Sequence, residues 1–137
     1  MGDLVYIDPG RENFERFKGL PRDTPIHMLN LIRWKQWAEY PAGHESAEKG
    51  WTGRQAYQEY HRTIAPVLER VGAHIAWSGS FEAMVTGPES ERWDAGFVMV
   101  YPNASAFFGL VKDAEYKLHV ANRTAGVADS RLMRFGP

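Results

Sequence analysis

The feature that most constrains this chain of 137 residues is a pair of segments that are apolar on both faces. Residues 25–34 read PIHMLNLIRW, and residues 93–101 read WDAGFVMVY. A strand with one face in water alternates apolar and polar residues, whereas apolar residues on both faces are typical of central strands. We therefore predict that both segments lie in the middle of one sheet.

The segment between the two central strands predicts a helix followed by an edge strand. Thr52 and Gln55 have the spacing of a capping box, and a stripe of apolar residues at helical spacing then runs to Gly72. Residues 73–85 alternate almost without interruption, which predicts a long half-buried strand. One face of that strand is predicted to carry Ala73, Ile75, Trp77, Gly79, Phe81, Ala83 and Val85.

The last third of the chain predicts two helical pieces and a final strand. Asn103 and Asp113 are placed to cap the helices, the second of which should run to about Asn122. Residues 127–135 then form a strand. The resulting order, βαββαβ, is the α+β ferredoxin-like arrangement with a four-stranded antiparallel sheet, in which the first and third strands are central.

The chain is predicted to be one domain, 1–137, with two additions to this pattern. Residues 1–24 form an N-terminal helical extension, whose short helix has Asp8 as its N-cap and ends at Gly19. Residues 35–51 have no clean period and form a long loop insertion, a type of segment that is usually functional or mobile.

The sheet predicts a homodimer. Two helices cover only one face of four strands, so the apolar side chains on the other face of the central strands would lie in water. A second copy of the sheet covers that face in a two-fold dimer. The alternative is that the 35–51 loop folds over it.

Composition excludes several classes of function. The formal net charge is -1, without the basic surplus of nucleic-acid binders. No apolar run approaches the roughly 20 residues that span a membrane, and the first residues do not resemble a signal peptide, so a cytoplasmic protein is expected. Cysteine is absent. His44 and Glu48 alone do not make a metal site, and no nucleotide motif is present, so neither metal nor cofactor is expected.

Polar residues on the strands and after the last helix are candidate ligand contacts. Asn30 interrupts a central strand and points either to a ligand or to a neighbouring side chain. Arg123 is suited to a carboxylate, either of a ligand or of Asp94 or Asp113. Arg131 lies two residues from Asp129 and so on the same side of its strand. The two form either a charged element of a partly dry site or a structural ion pair across the dimer, and the ion pair is the favoured interpretation.

Aromatic and titratable residues supply further candidates. Tyr60, Tyr101 and Tyr116 offer phenolic hydroxyls to a cavity between helices and sheet, or fill the core. His119, one helical turn after Tyr116, is a candidate acid or base, and Asp94 is a candidate base if partly desolvated. His61 and His74 are expected to be exposed or merely interfacial, with no role.

An ordered set of short motifs resembles a known family. The motifs are Asn30-Leu31, Tyr57-Gln58-Glu59-Tyr60, Trp93-Asp94, Tyr101-Pro102, Phe107, Asp113-Ala114-Glu115-Tyr116, Arg123, Ala125-Gly126 and Asp129-Ser130-Arg131-Leu132. Over residues 25–134 the chain resembles an uncharacterised branch of the dimeric α/β-barrel superfamily. The resemblance implies a ferredoxin-like monomer and a face-to-face dimer.

The same superfamily contains cofactor-free monooxygenases, haem-degrading monooxygenases and muconolactone-isomerase-like enzymes. The haem-degrading members use an Asn, a Trp and a His. Asn30 corresponds to the Asn and His119 to the His, whereas Tyr101 stands where the Trp is expected. This departure weighs against haem.

The sequence therefore predicts a pocket for a small, mostly apolar metabolite with an anionic or carbonyl group. Cofactor-independent isomerisation or oxygenation is one reading of that pocket. A non-catalytic dimeric binding or interaction module is the alternative.

Overall fold

The computed structural model describes residues 4–137. Its elements are α1 (Arg11–Lys18), β1 (Ile26–Trp34), α2 (Gly53–Val71), β2 (His74–Ser80), β3 (Ala95–Tyr101), α3 (Ala104–Lys112), α4 (Ala114–Gly126) and β4 (Val127–Phe135). The four strands form one antiparallel sheet in the order β2-β3-β1-β4. The predicted ferredoxin-like topology is confirmed, with the two doubly apolar strands in the centre.

One face of the sheet, which we call the inner face, packs against the helices. Ile26, Met28 and Ile32 of β1 point to it and are buried. Phe97 and Tyr101 of β3 lie opposite Asn30 and Ile26 in the register and continue the same core. Helix α2 contributes its apolar stripe, so the core lies between the sheet and α2, α3 and α4.

Side-chain caps begin three of the four helices in the described chain. Thr52 and Gln55 form the predicted capping box of α2, Asn103 accepts from Ala106 N at 2.8 Å, and Asp113 accepts from Glu115 N at 2.8 Å. The prediction for α1 was wrong. Its N-cap is Gly10 without a side-chain hydrogen bond, because Asp8 is instead held by α4.

The second strand is shorter than predicted and is irregular. β2 ends at Ser80, and its register with β3 shifts between Ile75 and Trp77. Ile75 therefore pairs with Met99 and Trp77 with Val98, which places the two side chains on opposite faces. Their predicted common face is wrong, because the bulge adds a residue that breaks the alternation.

The face of the sheet away from the helices, the outer face, carries apolar side chains in water. Gly96 of β3 leaves room there for the Trp77 indole beside Leu31. Trp77 is 56% exposed, and Phe135 of β4 is 52% exposed.

The 35–51 loop does not cover the outer face. The N–H groups of Lys35 and Glu39 donate to the carbonyls of Gly126 and Ala125, at 2.8 and 3.0 Å. The Tyr40 hydroxyl donates to the buried Asn122 at 2.6 Å. The loop is thus fixed to the end of α4, which excludes the alternative in which it shields the sheet.

The start of α2 and the end of α4 meet backbone to backbone. A Cβ atom on Gly53 would collide with the carbonyl of Lys35, and one on Gly126 would collide with the carbonyl of Gly53. The pair of glycines therefore allows the two helices to approach closely. Within residues 4–137, no helix has the length and apolarity needed to cross a bilayer.

Candidate functional site

A cavity of about 120 Å³ lies between the inner face and helices α2 and α4, and we call it the inner chamber. Five residues predicted from the sequence line it, namely Asn30, Tyr60, Tyr101, Tyr116 and Arg123. An apolar cavity of roughly 150 Å³ in another protein takes up benzene. The inner chamber is therefore close to the size of one aromatic ring.

His61 lines this chamber, and the sequence interpretation of it as exposed or interfacial was wrong. Its ring packs against Tyr57 and Phe97, with centroids 4.8 and 5.3 Å away. Burial lowers the pKa of His61 to about 4, so the imidazole is neutral near pH 7. Its Nε2 atom is buried, and no group in residues 4–137 hydrogen-bonds to it.

The signal that identifies His61 is its position on the apolar stripe of α2. It lies four residues after Tyr57 and three before Ile64, and both of these are buried. Residues at these spacings share one face of a helix. The spacing therefore places His61 on the inner face, despite its polarity.

Four tyrosines surround the chamber. The hydroxyls of Tyr60 and Tyr116 lie 3.0 Å apart and share a hydrogen bond. Burial raises the pKa of Tyr60 well above its usual value, and burial also raises the pKa values of Tyr57 and Tyr101. All three are thus neutral phenols, able to donate or accept a hydrogen bond.

Asn30 retains hydrogen-bonding capacity at the chamber wall. Its Nδ2 donates to the carbonyl of Met28 at 3.0 Å. A primary amide has two donors and an acceptor oxygen, so this bond uses only part of its capacity. The local partner is thus a backbone carbonyl and not the neighbouring side chain that the sequence offered as an alternative, and the ligand contact stays a prediction.

Arg123 stands at the border of the chamber and holds the N-terminal arm, which we define as residues 4–9. Its guanidinium donates to the carbonyl of Ile7 at 2.6 Å and to the carboxylate of Asp8 at 3.2 Å. The expected partners Asp94 and Asp113 are engaged elsewhere. Asp113 pairs with Arg70 at 3.1 Å, and Asp94 accepts from Trp34 N at 2.8 Å.

A second, larger cavity of about 720 Å³, the outer cavity, adjoins the chamber. It lies between the N-terminal arm, α1 and β4. Residues shared by the two linings are Asp8, Pro9, Met28, Phe107, Arg123 and Leu132. The N-terminal arm and Arg123 thus form part of the wall that the two spaces have in common.

Asp129 and Arg131 pair with each other within one chain, with Arg131 Nη1 2.8 Å from Asp129 Oδ1, whereas the favoured interpretation was an ion pair across the dimer. Burial alone would raise the pKa of Asp129, but hydrogen bonds from Tyr6 N and Arg131 outweigh it, and the pKa is lowered. The Arg131 guanidinium lies 5.0 Å from the Tyr6 ring and 4.9 Å from the Trp93 ring. Arg131 borders the outer cavity and not the inner chamber.

The two residues predicted to handle protons lie elsewhere. His119 is on α4, and Asp94 directly precedes β3. Neither borders the inner chamber or the outer cavity. Their catalytic roles stay predictions. In the described part of the chain, no group of three or more His, Asp or Glu side chains is arranged to hold a metal ion.

Comparison with known proteins gives relatives of unknown function. RPA0582, a protein of unknown function from Rhodopseudomonas palustris, is 42% identical over 98% of each chain, with a TM-score of 0.87. Methylated RPA0582 is 43% identical over 97% of this chain and 95% of that one, with a TM-score of 0.88. A DABB-family protein with a ferredoxin-like fold from Mesorhizobium loti is 13% identical over 82% and 96%, with a TM-score of 0.49. No family model and no curated protein matches the chain.

Proposed function

We propose, from the premise that this chain belongs to the uncharacterised ferredoxin-like family of RPA0582, that it binds a small, mostly apolar molecule carrying a carbonyl group. The binding site is the inner chamber, whose volume of about 120 Å³ matches one ring. Pockets of this kind combine apolar walls with a few convergent polar groups that orient the ligand.

The observation that carries the proposal is His61 at the chamber wall, whose buried Nε2 has no hydrogen-bond partner within residues 4–137. A buried polar atom without a hydrogen bond costs about 1–3 kcal/mol, and native proteins contain few of them. A ligand that supplies the missing partner removes this cost. Asn30 and the Tyr60–Tyr116 pair provide further hydrogen bonds around the same space.

We assign proton handling, if the bound molecule is turned over, to His61 in place of His119 or Asp94. The imidazole is neutral and borders the chamber, and in the tautomer whose Nε2 carries no proton it can accept a proton from the carbon next to a ligand carbonyl. Such chemistry corresponds to cofactor-independent isomerisation. The non-catalytic binding module remains the alternative, and it requires the same pocket without turnover.

Thermal unfolding in the presence of ring-sized ketones and aldehydes tests the site. A ligand at about 100 times its dissociation constant stabilises the folded state by about 2.7 kcal/mol. Acetophenone is expected to raise the melting temperature of the wild type and not that of His61→Phe. His74→Phe, on the edge strand β2, is the matched control and should respond like the wild type. Equal responses of all three proteins would contradict the proposal.

We further propose that the chain is a homodimer in which two outer faces pack together. Leu31, Trp77 and Phe135 would then leave water, as the apolar outer face requires. Trp77→Arg should convert a particle of twice the chain mass into a monomer, measured by light scattering. Val85→Arg, at a site that is 93% exposed outside the strands, is the control and should stay dimeric. A monomeric wild type would refute the dimer.

A further inference from the structure

Arginines outnumber acidic residues in the wall of the outer cavity. Four arginines line it, namely Arg16, Arg123, Arg131 and Arg134, and Asp8 is its one acidic residue within the described chain. Phe14, Phe17 and Phe107 form apolar parts of the same wall. A cavity of about 720 Å³ with aromatic walls and excess positive charge suits a ligand with an apolar body and an anionic end.

The arginines differ in how their charges are compensated. Arg131 pairs with Asp129 at 2.8 Å, and Arg123 pairs with Asp8 at 3.2 Å. Arg16 is largely exposed and lies 3.8 Å from Glu12. For Arg134, no carboxylate of residues 4–137 lies within salt-bridge distance.

Arg134 also carries a donor without an acceptor. Its Nη2 donates to the carbonyl of Pro21 at 2.7 Å, and its guanidinium carbon lies 5.5 Å from the centre of the Phe17 ring. Its Nη1 is buried, and no group in the described chain accepts from it. An unsatisfied donor on a charged group is costlier than on a neutral one. Arg134 is therefore the arginine of this cavity whose charge no carboxylate of residues 4–137 compensates.

The register of the sheet sets the length that such a ligand must have. Asn30 pairs with Phe97 and with Leu132, and Met28 pairs with Arg134. His61 packs against Phe97 on β3, and Arg134 lies two strands away from Phe97, on β4, and two residues further along the sheet. Neighbouring strands are about 4.8 Å apart, and two residues along a strand span about 6.8 Å. The Cα atoms of Phe97 and Arg134 are therefore separated by roughly 12 Å.

We propose that the outer cavity is an anion subsite in which Arg134 binds the carboxylate of an elongated ligand. The apolar body of the ligand crosses the shared wall at Leu132 and Phe107, and its other end occupies the inner chamber. The inference rests on the proposed function of that chamber. A carboxylate suits the planar guanidinium of Arg134, in which Nη2 donates to Pro21 and Nη1 has no acceptor within residues 4–137.

Calorimetric titration with three probes tests the subsite. The probes are 4-phenylbutyrate, its neutral amide of the same shape, and acetophenone, which reaches the inner chamber alone. We expect the acid to bind about ten- to one-hundred-fold more tightly than the amide, the ratio that one charge-assisted hydrogen bond provides. Equal binding of the acid and the amide by the wild type would overturn the subsite.

Variants of the cavity arginines show which residue causes the preference for the acid. Arg134→Met should reduce the acid-to-amide ratio to about one and leave amide binding unchanged. Arg134→Lys, which keeps the charge, should retain part of the preference. Arg16→Met, at an exposed arginine of the same cavity, should retain all of it. A full preference in Arg134→Met would overturn the assignment. The wild-type comparison still decides the question if Arg134→Met does not fold.

The outcomes separate this inference from the proposed function. Binding of acetophenone and the amide, weakened in His61→Phe, with no preference for the acid supports the chamber and overturns the subsite. Binding of the acid through Arg134, unaffected by His61→Phe, overturns both the chamber and a ligand that spans the two spaces. Binding of none of the probes overturns both proposals.

Discussion

The Nη2 atom of Arg123 donates to the carbonyl oxygen of Ile7 at 2.6 Å and so joins residues that are 116 positions apart. Hydrogen bonds to Asp129 and Ser130 hold the same arm against β4. Tyr6 N donates to Asp129 Oδ1 at 2.9 Å, and Ser130 N donates to Tyr6 O at 2.8 Å. Because Asp8 and Pro9 line both cavities, the position of the arm determines the shape of the wall between them.

Arg123→Met is expected to loosen the N-terminal arm. The charged donor to Ile7 is largely buried, and loss of such a hydrogen bond costs about 1.5–3 kcal/mol. Urea unfolding should show this loss, and the amide of Tyr6 should exchange faster with solvent.

Asp8→Asn is the matched control for that variant. It weakens only the ion pair with the exposed Asp8 carboxylate, so the free energy of unfolding should fall by less than about 1 kcal/mol. Equal effects of Arg123→Met and Asp8→Asn would show that the bond to Ile7 does not hold the arm.

His61 should make the protein less stable in mild acid. Burial lowers the pKa of His61 to about 4 from its ordinary value of 6.5. Between these values the unfolded chain binds a proton that the folded chain does not, so the free energy of unfolding falls as the pH decreases through this window. A pKa difference of this size corresponds to about 3 kcal/mol.

The measurement is urea unfolding of the wild type and His61→Phe at several values between pH 4 and 6.5. As the pH decreases, the free energy of unfolding of the wild type should fall relative to that of His61→Phe. The lowered pKa of Asp129 changes the free energy of unfolding only in more acidic solution, and it does so in both proteins alike. A difference that does not change with pH would mean that His61 is not held neutral.

The layout of the sheet was predictable because each strand carries its own pattern. The doubly apolar segments identified β1 and β3, and the capping box at Thr52 identified the start of α2. The bulge between Ile75 and Trp77 was not predictable. The sequence alternates without a break there, so nothing in it indicates that one residue of β2 has no partner on β3.

The candidate site was predictable only in part. Asn30 and Tyr101 were identified because their positions on central strands fix which face they occupy. The N-terminal arm was missed because its bonds to Arg123 and Ser130 join distant parts of the chain, and no local pattern encodes them. Arg134 was missed because an arginine near the end of an edge strand reads as solvent-exposed.

The Tyr60–Tyr116 pair should show measurable coupling. The hydroxyls of Tyr60 and Tyr116 are 3.0 Å apart. Tyr60→Phe removes one of them and leaves the hydroxyl of Tyr116 without this partner. A double-mutant cycle with Tyr116→Phe is expected to give a coupling of about 1 kcal/mol in the free energy of unfolding. Coupling near zero would show that each hydroxyl finds another partner, such as water in the chamber.

The contact between α2 and α4 should reject even a methyl group. A Cβ atom on Gly126 would overlap the carbonyl of Gly53 and approach the N–H of Tyr57 within 3.2 Å. Because both neighbours are backbone atoms in helix α2 or at its start, they cannot rotate away. Gly126→Ala is expected to lower the free energy of unfolding by about 3 kcal/mol or more.

Gly109→Ala is the matched control, since Gly109 also lies within a helix. A Cβ atom there would be 3.9 Å from Val71 Cγ1, an ordinary contact. Alanine in place of a helical glycine then stabilises by about 0.5–1 kcal/mol, because it restricts the unfolded chain and favours the helix. Opposite signs for the two substitutions in urea unfolding would establish the backbone contact as the cause. A mild loss in Gly126→Ala would instead mean that α2 and α4 separate easily, and the inner chamber between them would then not have a fixed shape.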